Sequence, residues 1–228
     1  MALSAPLLAA YRAAWADVSA AEDAIVADPR PWRRIGTRSA FLSGVGAAMD
    51  DLDARTASFF AEDFPDIYRA GAEDTAADLG RTYDPTTSDH EARIVALAAV
   101  SLVALRRATR GVRRTARALM GTLARHPDLL AGPSPDLTRL VTDGRVHAVR
   151  YTDRSRHGLS EYAYMALDTS TVTGYNAGTL GMGAEAGVNL YLVSDGPMCV
   201  MPGTRSVFYG GIVGLVRAWY SGDAVRLT

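Results

Sequence analysis

The stretch GLSEYAYMALDTSTVTGYNAGTL, residues 158–180, opens with a helix cap signal at Ser160-Glu161. It then places threonines, a serine and two glycines, Gly174 and Gly178, where a helix interior should be. On a 3.6-residue period, Ala163, Ala166, Ser170, Gly174, Ala177, Gly178 and Gly181 fall on one side. Tyr162, Met165, Thr169, Val172, Asn176 and Thr179 fall on a neighbouring face. Each glycine costs up to about 1 kcal/mol against alanine in a helix. A face almost without side chains therefore predicts close approach to another backbone. Strand signals stand on both sides: Arg145–Tyr151 alternates after the turn dipeptide Asp143-Gly144, and Val188–Asp195 ends in Asp-Gly-Pro. The predicted partner of the small face is the sheet formed by these flanking strands, with the contact at Val188–Val193.

Working outward, RSVFYGG (205–211) and AVRL (224–227) can each add an edge strand. Upstream, HPDLLAGPSPDL (126–137) carries Pro and Gly and reads as a linker. Before it the pattern is helical. Ser4 caps a first helix with Pro6 in its first turn, and DPRPW breaks it. A second helix runs from Trp32 toward Asp63, restarts at Pro65 and stops at Gly80. A third begins at Ser88, with Asp89 and Glu91 in its first turn, where the helix dipole favours them. The predicted fold class is α+β. A bundle of long helices over residues 1–126 precedes a small mixed α/β domain over 127–228 with a strand–helix–strand core.

The third helix has an apolar stripe at Ile94, Leu97, Leu102, Leu105, Val112, Leu119 and Leu123. Arg106, Arg107, Arg110, Arg113, Arg114 and Arg117 crowd its C-terminal half, with no acid between Glu91 and Asp128. The second helical segment is the reverse, rich in Asp and Glu from Asp50 to Asp78. Two uses of the arginines follow: pairing with the acidic helix inside the bundle, or an outward basic face for DNA phosphates or an acidic partner.

Composition bounds the rest. The 228 residues are 48% hydrophobic and 21% charged, with a formal net charge of -1. Near-neutrality gives no global pull toward nucleic acid or anionic membrane, so any such binding must be local. Every cation counted is arginine, and the chain has neither lysine nor glutamine, a bias that GC-rich coding produces. The one cysteine, Cys199, excludes an internal disulfide and fits a reducing compartment. The longest apolar run, Ile94–Leu105, is too short to span a bilayer. The N-terminal stretch, interrupted by Arg12 and Asp17, does not read as a signal peptide.

No pattern carries enzyme chemistry. His90, His126, His147 and His157 are isolated, without metal-ligand spacing. GTLGMGAEAG (178–187) has glycines but no Lys-Ser/Thr, and it ends a helix where a phosphate loop would begin one. The one compact nucleophile set is Asp153, His157 and Ser160, and Ser160 is better used as a helix cap. The expectation is a non-enzymatic protein without metal, cofactor or small-molecule substrate.

The order of residues in the second half resembles the phage minor capsid proteins of the MuF-like group, in their actinobacteriophage form. Asp143, Gly144, Arg145, Tyr162, Ala163, Met165, Thr169, Tyr175, Asn176, Gly178, Gly187, Val188, Ser194, Asp195, Gly196, Pro197 and Cys199 match the family pattern in sequence. The helical segments YRAGAEDTAADLG and HEARIVALAAVSLVALRRATRGVRRTARALM are similar to helices of that type, so the likeness covers most of residues 40–200. The chain departs from the family at Asp168, where members usually carry Arg, and it lacks a second cysteine and a His-Pro-Asn-Cys segment. No metal or disulfide role is carried over to Cys199. The resemblance implies a virion protein inside the head, beside the portal, acting in head morphogenesis or genome delivery. Its partners would be the portal and the major capsid protein, with packaged DNA reached through the arginines and no membrane. The alternatives are a capsid maturation protease and a DNA-binding accessory protein using the 106–117 cluster.

Overall fold

The computed structural model describes residues 4–86, 88–188, 190–194 and 205–209, which are mostly helical. Six α-helices are formed among the described residues: α1 (Ala5–Ala27), α2 (Ile35–Glu62), α3 (Phe64–Asp78), α4 (Ser88–Arg125), α5 (Pro135–Asp143) and α6 (Leu159–Glu185). Four short strands complete them: β1 (Val149–Arg150), β2 (Arg156–His157), β3 (Leu190–Ser194) and β4 (Arg205–Tyr209). The chain divides into two compact units. One is built from Met1–Phe64 and Ala96–Val172, the other from Pro65–Val95 with the chain from Thr173 onward.

In the first unit, Leu7, Tyr11, Val18, Glu22 and Ile25 form the buried stripe of α1 at helical spacing. On α2 the buried positions are Val45, Met49, Leu52, Thr56, Phe59 and Phe60. Thr56 Oγ1 donates to the Leu52 carbonyl at 2.6 Å, so its oxygen is left to accept the Tyr11 hydroxyl at 2.8 Å. A buried hydroxyl pair thus stays satisfied inside an apolar seam. From α4 come Leu105, Ala108, Thr109, Val112, Ala116, Leu119, Met120 and Leu123, the C-terminal half of the expected stripe. Ile94, Leu97 and Leu102 are only half-buried.

The strand expected over Arg145–Tyr151 shrinks to the two residues of β1, which pairs antiparallel with β2. The reason lies in where the backbone amides go. Val146 N–H donates to Glu22 Oε1 of α1 at 2.6 Å, and His147 N–H donates to Thr115 Oγ1 of α4 at 3.1 Å. Side chains from two helices capture the amides that a ladder would have used. The same segment lies so close to α4 that a Cβ at Gly111 would strike the Ala148 carbonyl.

In the second unit α3 and α6 cross with backbones in contact. A Cβ at Gly178 would strike the Tyr68 carbonyl, and one at Gly71 would strike the Tyr175 carbonyl. Thr179 Oγ1 donates to the Gly71 carbonyl at 3.2 Å across the same crossing. The small face of residues 158–180 is therefore used, but its partner at Gly178 is a helix and not the predicted sheet. The strands flanking α6 do not pair with one another either: β1 joins β2, and β3 joins β4 in antiparallel register from Leu190↔Tyr209 to Ser194↔Arg205. The RSVFYGG segment does supply a strand, β4; AVRL lies outside the described residues. Gly80, at φ 62°, stops α3 as expected, and Gly187, at φ 75°, ends α6.

Candidate interaction surface

α4 carries the arginine cluster through the first unit, and the geometry separates its members. Arg113 turns inward to α2, where its Nη2 donates to Asp50 Oδ1 at 2.7 Å and approaches Asp53 Oδ2 at 3.4 Å. Asp53 is held in turn by the Thr109 hydroxyl at 2.7 Å. This is the predicted pairing with the acidic helix, and it takes a single arginine. Arg106, Arg107, Arg110, Arg114 and Arg117 are exposed and have no carboxylate partner among the described residues. Arg110 Nε donates to the Arg106 carbonyl at 3.1 Å, which keeps its head group along the helix surface. Two other acids of that segment are paired within their own helices: Asp51 holds Arg55 at 2.7 Å, and Asp66 holds Arg69 at 2.6 Å.

The family-pattern residues are placed as follows. Asp143 is the last residue of α5, and Gly144 caps that helix by donating its N–H to the Leu140 carbonyl at 2.9 Å. Arg145 does not begin a strand; its Nε lies 3.4 Å from Glu22, a carboxylate with only 2% of its surface exposed. Burial pushes the Glu22 carboxyl above its usual range, while the Val146 N–H and Arg145 pull it back. Tyr162 and Asn176 are half-buried, Met165 is exposed, and Gly178 sits at the α3 crossing. Tyr175 donates its hydroxyl to Asp74 Oδ2 at 2.6 Å. Asp195, Gly196, Pro197 and Cys199 lie outside the described residues.

The nucleophile set is rearranged. The β1–β2 hairpin brings Ser155, not Ser160, to His157, with Oγ 3.4 Å from Nε2; His157 Nδ1 lies 3.0 Å from Glu161 Oε2. Ser155 was missed because its approach depends on the hairpin, which closes through Arg154 at φ 70°. The shorter contact decides the chemistry: Ser155 Oγ donates to Asp153 Oδ1 at 2.7 Å, and its N–H donates to the same oxygen at 2.8 Å. The hydroxyl proton is thus held by a turn carboxylate rather than offered to the imidazole.

A second histidine lies inside the second unit. His90, 1% exposed, is hydrogen-bonded through Nδ1 to the Tyr68 hydroxyl (2.8 Å), and its Nε2 is 3.2 Å from Glu185 Oε2. The Tyr83 ring stands edge-on to it at 4.9 Å. Burial pushes the Tyr68 phenol up to about 12. Among the described residues no three His, Cys, Asp or Glu side chains gather as a metal-holding group, and no helix is long and apolar enough to cross a membrane.

No family model, curated protein or solved structure matches the chain.

Proposed function

We propose that the chain is a structural component of a tailed-phage head, a minor capsid protein placed inside the head beside the portal, whose α4 arginines touch packaged DNA. The observation that carries the DNA contact is the outward row Arg106, Arg107, Arg110, Arg114 and Arg117, unpaired by any described carboxylate. The head and portal setting rests on the resemblance of residues 40–200 to MuF-like proteins. The finer architecture proposed with it, a long-helix bundle followed by a small α+β domain with a strand–helix–strand core, rests on the change from helix-period to strand-period sequence beyond residue 126. Strands do stand on both sides of α6 in chain order, though in two separate hairpins.

DNA binding by such a row neutralises phosphates without reading bases, so affinity tracks counterion release. With up to five arginines engaged, log K against log salt should fall with a slope of about −4 to −5. Arg110→Glu should abolish binding near physiological salt, whereas Arg113→Ala should leave the slope unchanged because its head group is spent on Asp50. A flat salt response in the wild type would remove the DNA contact. Mass spectrometry of purified particles, before and after DNA ejection, tests the location. Absence from particles and assembly intermediates, with DNA binding intact, would favour the DNA-binding accessory reading.

A further inference from the structure

The outward face of α4 is more regular than a basic patch requires. Val100, Val103, Arg107, Arg110, Arg114 and Arg117 follow one another at steps of three and four residues, and all are exposed. This is the heptad spacing of a helix–helix seam, and in the described chain it faces solvent. Its first turn is apolar: Val100 is 72% exposed and Val103 61%. A face that met only phosphates has no use for two solvent-facing valines beside its arginines; a protein partner does.

A matching seam occurs on α3. Asp66, Ala70, Glu73 and Ala77 recur at steps of four and three and are all exposed, with Asp74 and Asp78 beside them and Leu79 just beyond. Glu73 and Asp78 have no ion pair among the described residues. The alanines leave room for close approach, and the acids carry the charge opposite to that of the α4 seam. At 1.5 Å per residue, the arginine part of the α4 seam, Arg107–Arg117, runs about 15 Å and Asp66–Ala77 about 17 Å, so the acid–alanine row spans the arginines, and the valines extend the α4 seam about 10 Å further. Four arginines on the α4 row would face Asp66 and Glu73 on the α3 row with Asp74 and Asp78 beside them, Asp66 already holding Arg69.

We propose that a second copy of this chain docks its α3 acid–alanine seam on the α4 valine–arginine seam. The two surfaces are different patches of one chain, so the contact is head-to-tail and leaves a free seam of each kind at the ends. More than two copies can join, closing into a ring if the rotation allows. The contact shares its arginines with the DNA reading but does not depend on it, and DNA should compete with the second copy for them.

Sedimentation of the full chain tests this. The wild type should assemble at low salt and dissociate at high salt. Arg110→Glu/Arg114→Glu and Glu73→Arg/Asp78→Arg, all at exposed positions, should each raise the concentration for half-assembly at least tenfold, with unchanged circular dichroism. A 1:1 mixture of the two reversed proteins should assemble again, because each then offers what the other lacks. A wild type that stays monomeric at low salt, variants that assemble like wild type, or a mixture that stays monomeric would each overturn the docking. Glu73→Arg/Asp78→Arg should still bind DNA. Loss of assembly with DNA binding kept separates this contact from the phosphate contact, and salt-dependent assembly without DNA binding would remove only the latter.

Discussion

At the scale of single residues, Glu22 shows how a sequence pattern can hold a tertiary message that only the fold reads out. It sits in the apolar register of Leu7, Tyr11, Val18 and Ile25, and the structure gives the reason: its carboxylate accepts the buried Val146 N–H. Glu22→Ala would strand that donor and should cost about 1–3 kcal/mol in urea unfolding at pH 7. The pH dependence has a definite sign. Burial raises the Glu22 pKa in the folded state, so the folded chain takes up this proton at higher pH than the unfolded chain. This group's contribution to stability therefore grows as pH falls through the raised folded value, and levels off below the ordinary carboxylate range. Glu22→Gln keeps an oxygen for Val146 and should flatten that gain. An unchanged pH profile of unfolding free energy in the Gln variant would refute the assignment.

At the scale of elements, the helices were legible because capping, proline and glycine signals agree with local periodicity. Pro65 restarts α3 after the break at Asp63, and Gly80 ends it by adopting positive φ. The partners were less legible. Residues 158–180 announced a bare face, yet a bare face fits a sheet or a helix equally well, and only Gly71 on the facing helix distinguishes them. Gly178→Ala should destabilise by about 1–3 kcal/mol, since even a methyl meets the Tyr68 carbonyl, and Gly71→Ala should behave alike. Wild-type melting temperatures for both would show that the crossing is looser than described. The strand at Arg145–Tyr151 was overestimated because its alternation says nothing of Glu22 and Thr115, distant residues that take its amides.

At the scale of the whole molecule, the switch from helix-period to strand-period sequence near residue 126 does not by itself reveal the grouping in space. Each compact unit is assembled from two separate stretches of chain. The arginine cluster was visible in the sequence, but which member turns inward depends on the register of α4 against Asp50 and Asp53, a matter of tertiary packing. The protease alternative also belongs to this scale. Incubation with the major capsid precursor should give no cleavage, because the Ser155 proton is committed to Asp153. Specific cleavage that disappears in Ser155→Ala and His157→Gln would reverse that conclusion.

The glycine crossing of α3 and α6 has a mechanical side. Where two backbones touch with no side chains between them, resistance to sliding comes from whatever residue arrives next. One turn toward the N-terminus of α6 from Gly178 stands Gly174, which has no side chain to obstruct; the other way stand Gly181, where an added Cβ would strike the Tyr68 hydroxyl, and the buried Met182. A shift of about 5.4 Å, one helical pitch, would bring a second notch into place in one direction and a wedge in the other. The crossing is thus flanked unequally along α6, by Gly174 on one side and by the Met182 side chain on the other.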